Sequence, residues 1–154
     1  MRTAILERMD TTPFWRHHTA SIVIGLLNVF AIGLGMGVPI LAIALGFPVG
    51  WWFATRHGAG PIARATLRQI VLAAVGLAGS SLVVLAVIWG PQVPNAFDPA
   101  FDAAAFGIPL ILYGSQASMI GWLVLMMLVS PFLQFLAMVA AGTVGLVARP
   151  SDED

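Results

Sequence analysis

The hydrophobic pattern of this chain is dominated by three long stretches without a charged residue. No Asp, Glu, Lys, Arg or His occurs in residues 19–55, 69–97 or 103–148. Each stretch is longer than the about 20 apolar residues that a helix needs to cross a membrane. A soluble domain could not cover its surface with charges placed so unevenly. The pattern therefore predicts an all-α integral membrane protein with several transmembrane helices.

Glycine and proline divide the first uncharged stretch. As a single helix, residues 19–55 would measure about 55 Å, which is nearly twice the ~30 Å hydrocarbon core of a bilayer. Gly33, Gly35 and Gly37 loosen the helix near its middle, and Pro39 suits the first position of a new helix. We therefore predict a tight hairpin of two short helices.

Two longer helices are predicted in the rest of the chain. Pro61 favours the start of the third helix, and Gly90 with Pro91 favours its end. Pro131 lies in the middle of the fourth helix, where it removes one backbone hydrogen bond and is predicted to bend the helix without dividing it. The predicted spans are residues 17–35, 38–55, 66–89 and 116–146, in a single membrane domain (13–148) between an N-terminal tail (1–12) and an acidic C-terminal tail (149–154).

A short aromatic segment separates the third and fourth spans. Residues 98–107 begin with an Asp-Pro pair, which suits a helix start, and end in glycine. Phe97, Phe101 and Phe106 are spaced to lie on one side of such a helix. The segment is therefore predicted to be a short interfacial helix, with its aromatic face in the headgroup layer.

The charged residues predict the topology. With four spans, every arginine lies on one side of the membrane, whereas Asp98 and Asp102 lie on the other. The positive-inside rule makes the arginine side cytoplasmic, so both termini are predicted to be cytoplasmic. Basic residues that are all arginine, together with abundant alanine and glycine, are typical of a GC-rich bacterial genome. The predicted location is the cytoplasmic (inner) membrane. The arginines are Arg2, Arg8, Arg16, Arg56, Arg64, Arg68 and Arg149.

Composition excludes several classes of function. Of the 154 residues, 59% are hydrophobic and 9% are charged, and seven basic residues balance seven acidic ones. A chain without net positive charge is not expected to bind nucleic acid. The absence of cysteine excludes disulfides, thiol chemistry and sites in which cysteine holds zinc or iron.

A few neutral polar residues lie within the predicted spans. Ser130 and Gln134 are four residues apart and share a face of the fourth helix. Serine and glutamine commonly make hydrogen bonds between membrane helices, and this is the favoured interpretation. The alternative is a pathway for a solute, since transporters place polar groups at helix breaks. The residues of this candidate polar site are Asn28, Ser80, Ser81, Ser130 and Gln134.

Histidines and arginines gather at the predicted cytoplasmic ends of the helices. His17 and His18 begin the first helix and His57 ends the second, so a hairpin would make the three imidazoles neighbours. Such a cluster could bind zinc, or one histidine could ligate haem. The favoured alternative is contact with lipid phosphates, so no cofactor is predicted. The arginines expected to touch phosphates are Arg16, Arg56, Arg64 and Arg68.

The predicted function follows from the chemistry that the spans lack. They contain no ionisable residue at mid-depth, and no catalytic residue is predicted. Small residues four apart, such as Gly46 and Gly50, favour close contacts between helices. The favoured hypothesis is a non-catalytic accessory or assembly subunit of a larger membrane complex, with lipids and other membrane subunits as partners. The alternatives are a homo-oligomeric transporter or channel for a neutral or apolar solute and, third, an enzyme acting on lipid or quinone.

Overall fold

The chain forms a bundle of four helices in a computed structural model that describes residues 14–34, 39–57, 63–108 and 114–148. Within these ranges no strand occurs, and the all-helical class predicted from the sequence is confirmed. The helices are α1 (Phe14–Leu34), α2 (Ile40–His57), α3 (Ala63–Trp89) and α4 (Ser115–Val147).

Two helical segments are long and apolar enough to cross a membrane. They are Ala65–Phe97, which comprises α3 and the 3-10 turns after it, and Ser115–Val147, which is α4. The apolar parts of α1 and α2 are shorter and cover Thr19–Leu34 and Ile40–Arg56. Large hydrophobic side chains on all four helices are exposed, so the outer surface of the bundle is apolar.

Contacts between helices show their relative directions. Asn28 on α1 meets Ser81 on α3, and one turn further along both helices Ile32 and Leu85 share a hydrophobic cluster. Because both pairs advance together, α1 and α3 run parallel. Ala42, near the start of α2, joins the cluster that contains Ile32, near the end of α1. The chain therefore reverses direction between α1 and α2.

The helices α2 and α4 also run parallel, and their backbones approach closely. A Cβ built on Gly46 would lie 2.8 Å from the Gln134 carbonyl oxygen, and one built on Gly145 would lie 2.9 Å from Ala54 Cβ. A Cβ on Gly50 would overlap the backbone of α4. Glycine is therefore required on both helices for them to pack at this distance.

Residues 98–107, which were predicted to form a short helix, form turns instead. A 3-10 helix occupies Gly90–Phe97, before this segment. The Asp102 carboxylate accepts the backbone N–H of Ala104 at 3.0 Å, and Asp98 likewise accepts an N–H two residues ahead. Aspartate that binds its own following backbone favours turns over helix, which explains why the prediction of a helix here was wrong.

The core of the bundle has a polar layer between two apolar ones. One apolar cluster contains Leu77 and another contains Leu85, both on α3. Ser81 is buried between them, one helical turn from each. Apolar packing thus keeps this polar layer away from both ends of the bundle.

Candidate functional site

Three buried polar side chains from three helices form a closed ring of hydrogen bonds. Asn28 Nδ2 donates to Ser81 Oγ at 2.8 Å, and the Ser81 hydroxyl donates to Gln134 Oε1 at 2.5 Å. Gln134 Nε2 then donates to Asn28 Oδ1 at 2.8 Å, which closes the ring. All three side chains are at most 1% exposed. We call Asn28, Ser81 and Gln134 the polar ring.

Two further bonds connect the polar ring to its surroundings. Gln134 Nε2 also donates to the Ala42 carbonyl oxygen of α2 at 2.8 Å. Asn28 Nδ2 also donates to Ser80 Oγ at 3.2 Å, and the Ser80 hydroxyl donates to the Leu77 carbonyl oxygen at 2.7 Å. The ring and its two extensions therefore join all four helices at one level.

Every donor hydrogen of the polar ring is used. A side-chain amide has two N–H donors and a serine hydroxyl has one. Asn28 gives its two to Ser80 and Ser81, and Gln134 gives its two to Asn28 and Ala42. The remaining hydroxyl hydrogen of Ser81 is bound to Gln134. The arrangement is neutral and fully satisfied, and its chemistry is that of an interhelical connector.

The close approach of α2 and α4 brings Gln134 to the Ala42 carbonyl. Gly46 has no side chain, so the backbone of α4 at Gln134 can lie directly against α2. Asn28, Ser80, Ser81 and Gln134 are identifiable in the sequence as polar residues within apolar helices. The Ala42 carbonyl is not, because every residue carries a carbonyl. The only sequence signal for this contact is the glycine one turn further along α2.

Ser130, the fifth residue of the predicted polar site, lies apart from the polar ring. Its hydroxyl donates to the Leu125 carbonyl oxygen at 2.7 Å, within α4. The backbone N–H of Ser130 is bonded to the same carbonyl. Ser130 is buried, but its hydrogen bonds serve the geometry of its own helix.

A π-helical turn at Leu125–Val129 lies directly before Pro131 in α4. Proline has no N–H to give to the carbonyl four residues earlier, and its ring clashes with that carbonyl. The wider turn moves the hydrogen bond of Ser130 to Leu125 and keeps the helix continuous through Pro131. Gln134 does not take the place of the missing N–H, because both of its amide hydrogens are bound elsewhere.

The histidine cluster predicted at the helix ends falls on side chains outside the described part of the chain. His17 and His18 belong to the first turns of α1, and His57 is the last residue of α2. Among the side chains that are described, no group of three His, Asp or Glu is placed to hold a metal ion. The prediction that no cofactor is bound, and the alternative of zinc or haem at the three histidines, are therefore both untested.

Two of the four arginines predicted to touch lipid phosphate have described side chains. The Arg56 guanidinium lies over the ring of Trp52, with its central carbon 4.9 Å from the ring centroid. Arg56 and Arg68 are both exposed. The other two, Arg16 and Arg64, lie in α1 and α3, and their side chains are outside the described residues.

Comparison with known proteins gives no match: no family model, no curated protein and no solved structure matches the chain.

Proposed function

We propose that the chain is a multi-pass protein of a bacterial cytoplasmic membrane, with four spans and both termini on the cytoplasmic side. Two helical segments of sufficient length and an apolar outer surface support this proposal. Alternating helix directions put Arg56 and Arg68 at one end of the bundle and Asp98 and Asp102 at the other. The end that carries both described arginines has the pattern of a cytoplasmic face.

The segment after α3 is proposed to lie in the outer headgroup layer. Phe97, the last residue of the Ala65–Phe97 segment, is 74% exposed, and Phe106, in the turns that follow, is 48% exposed. Exposed aromatic rings beside carboxylates suit the boundary between hydrocarbon and water. In this proposal the turns at residues 98–107 lie at the membrane interface, where a short helix was predicted.

Within that membrane, we propose a non-catalytic role as an accessory or assembly subunit of a larger complex. The observation that carries this role is the polar ring, whose donors all bind other parts of the same chain. The ring fixes the four helices to one another, and their outward faces are apolar. A rigid bundle with an apolar surface interacts with other membrane proteins through helix packing.

The transport alternative would need polar groups along a pathway. Such a pathway would be lined by Ser130, Pro131 and Gln134 on the fourth helix, and all three are buried within a single copy of the chain. The Gln134 amide would have to leave Asn28 and Ala42 to meet a solute. We therefore favour the accessory role over transport.

Two measurements test these proposals separately. Resistance to carbonate extraction from cell membranes tests membrane insertion, and complete release into the supernatant would refute it. Native mass spectrometry of the chain, solubilised gently with its natural neighbours, tests the accessory role. We expect a complex that contains at least one foreign membrane subunit at a fixed ratio. A stable homo-oligomer without a foreign subunit would instead favour transport.

A further inference from the structure

A surface groove of about 360 Å³ runs between α1 and α2. Its walls are apolar, with Val23 and Leu27 on α1 facing Leu45, Pro48 and Trp52 on α2. The volume lies within the range of about 300–1,000 Å³ that is usual for sites of small ligands. The groove is open along the outer surface of the bundle, so a ligand can enter it sideways.

The distance along α2 from the inner end of the groove to Arg56 matches the depth of one lipid leaflet. At 1.5 Å per residue, α2 rises about 10 Å from Leu45 to Trp52 and about 16 Å from Leu45 to Arg56. Half of a ~30 Å hydrocarbon core is about 15 Å. An acyl chain that fills the groove with its tip at Leu45 therefore brings its headgroup to the level of Arg56.

The positively charged side chain of Arg56 lies at the end of this groove. The Arg56 guanidinium stacks on Trp52, and the same indole ring forms the last part of the groove wall. Arg56 is exposed. The carboxylates of the described residues, Asp98 and Asp102, follow α3 at the opposite end of the bundle, so they do not neutralise Arg56. The Trp52 side chain thus belongs to the apolar wall and also contacts the positive charge of Arg56.

From this geometry we infer that the groove between α1 and α2 binds one anionic phospholipid. The inference rests on the proposed membrane location. An acyl chain lies against Val23, Leu27 and Leu45, and the phosphate meets Arg56. An apolar wall with one cation at its end matches the apolar chain and anionic head of a phospholipid. We therefore assign the groove to a lipid and not to a helix of another subunit.

A second groove on the other side of α2 provides an internal comparison. It has a volume of about 490 Å³ and is lined by Phe47, Pro48, Trp51 and residues of α4 that include Val144. In the described part of the chain, no arginine stacks on Trp51. This groove can hold a lipid chain, but among the described residues no cation is joined to its wall.

Native mass spectrometry of the purified full chain tests the inference. The protein is mixed with equal amounts of phosphatidylglycerol and phosphatidylcholine that carry identical acyl chains. We expect one phosphatidylglycerol per chain to survive detergent removal, with a preference of about fivefold, the factor expected for one arginine near an anionic lipid. Arg56→Gln should remove the preference. Arg68→Gln, which removes an exposed arginine on α3, should retain it.

A second pair of variants tests the groove itself. Val23→Trp fills the groove and should abolish retention of the lipid, whereas Val144→Trp fills the second groove and should leave the preference for phosphatidylglycerol unchanged. Both valines are exposed, at 48% and 58%, so neither change disturbs the core. An unchanged circular dichroism spectrum and melting temperature for each variant would show that the bundle stays folded.

Three results would overturn the inference. They are equal retention of the two lipids, equal effects of Arg56→Gln and Arg68→Gln, or a dimer that Val23→Trp dissociates. The last would show that a second copy occupies the groove. Carbonate extraction of the unmodified chain separates this inference from the membrane proposal. A chain that stays in the membrane but does not select the lipid contradicts only the inference.

Discussion

Gln134 donates a hydrogen bond to Asn28 across the centre of the bundle, although the two residues are 106 positions apart in the chain. Ser81 on α3 bonds to both residues, so α4 is connected to α1 directly and also through α3. A contact of this kind forms only when all three helices have reached their final positions. It therefore reports directly on the assembled bundle.

Replacing Gln134 by leucine should destabilise the bundle by about 1–2 kcal/mol, because Asn28 and Ser81 lose a partner while they stay buried. Unfolding in mixed detergent micelles with increasing dodecyl sulfate, followed by tryptophan fluorescence, measures this change. Leu133→Ile, at an exposed neighbouring position of α4, is the matched control and should have almost no effect. An equally stable Gln134→Leu protein would show that the ring does not hold the helices.

A double-mutant cycle tests whether Asn28 and Gln134 act together. The loss of stability in the double variant Asn28→Leu with Gln134→Leu should be smaller than the sum of the two single losses. The expected coupling is about 0.6–1.7 kcal/mol, the scale of hydrogen bonds between membrane helices. Effects that add to within about 0.5 kcal/mol would indicate independent sites and contradict the ring.

Ser81→Ala should cost more than Ser80→Ala, although the two serines are adjacent. Removing the Ser81 hydroxyl takes a donor from Gln134 and an acceptor from Asn28 in the buried core. Removing the Ser80 hydroxyl takes the longer bond from Asn28 and a bond within α3, both at a partly exposed position. We expect a difference of about 1 kcal/mol in unfolding free energy. Equal losses for the two variants would place the important contact outside the ring.

Gly50→Ala should separate α2 from α4. The added Cβ would overlap the Met138 carbonyl, and backbone cannot move aside as a flexible side chain can. An expected cost of about 1–3 kcal/mol follows from overpacking. Gly76→Ala on α3 is the control, since a Cβ there meets nothing within 4 Å. Both are measured by the same unfolding titration, and equal stabilities would refute the close approach at Gly50.

Labelling of single cysteines tests the proposed orientation, because the chain has no cysteine of its own. An impermeant maleimide applied to intact cells should label Ala105→Cys in the outer segment and leave Ala59→Cys, between α2 and α3, unlabelled. Ala105 is exposed, whereas nearby Ala103 is fully buried and would react poorly in either orientation. Labelling of the Ala59 variant without the Ala105 variant would reverse the topology.

The sequence predicts where the helices of this bundle lie in the chain, but not which helices pack against each other. Long uncharged stretches, interrupted by Pro39 and by Gly90 with Pro91, are sufficient to predict four helices. They do not show which helices touch. Because each helix is apolar on every side, the face that packs on other helices cannot be distinguished from the exposed face. The parallel packing of α2 on α4 depends on Gly46 and Gly50, and small residues at this spacing also occur where no helix packs.

The sequence predicts most residues of the candidate site, but not the hydrogen bonds that they make. Asn28, Ser81 and Gln134 stand out because polar side chains are rare in these helices. Ser130 has the same appearance in sequence, yet it bonds to its own helix, because the π-helical turn before Pro131 brings the Leu125 carbonyl within its reach. Such a choice depends on the local winding of the helix, which a residue pattern does not contain.

The packing of α2 against α4 also has a consequence for biosynthesis. The ribosome synthesises α1, α2 and α3 before α4. At that stage the glycine face of α2 has no partner, and Asn28 and Ser81 lack Gln134. During that interval, polar groups and bare backbone on the earlier helices lack their final contacts. The emergence of α4 supplies both at once, so the last helix to be made sets the moment at which the bundle becomes cooperative.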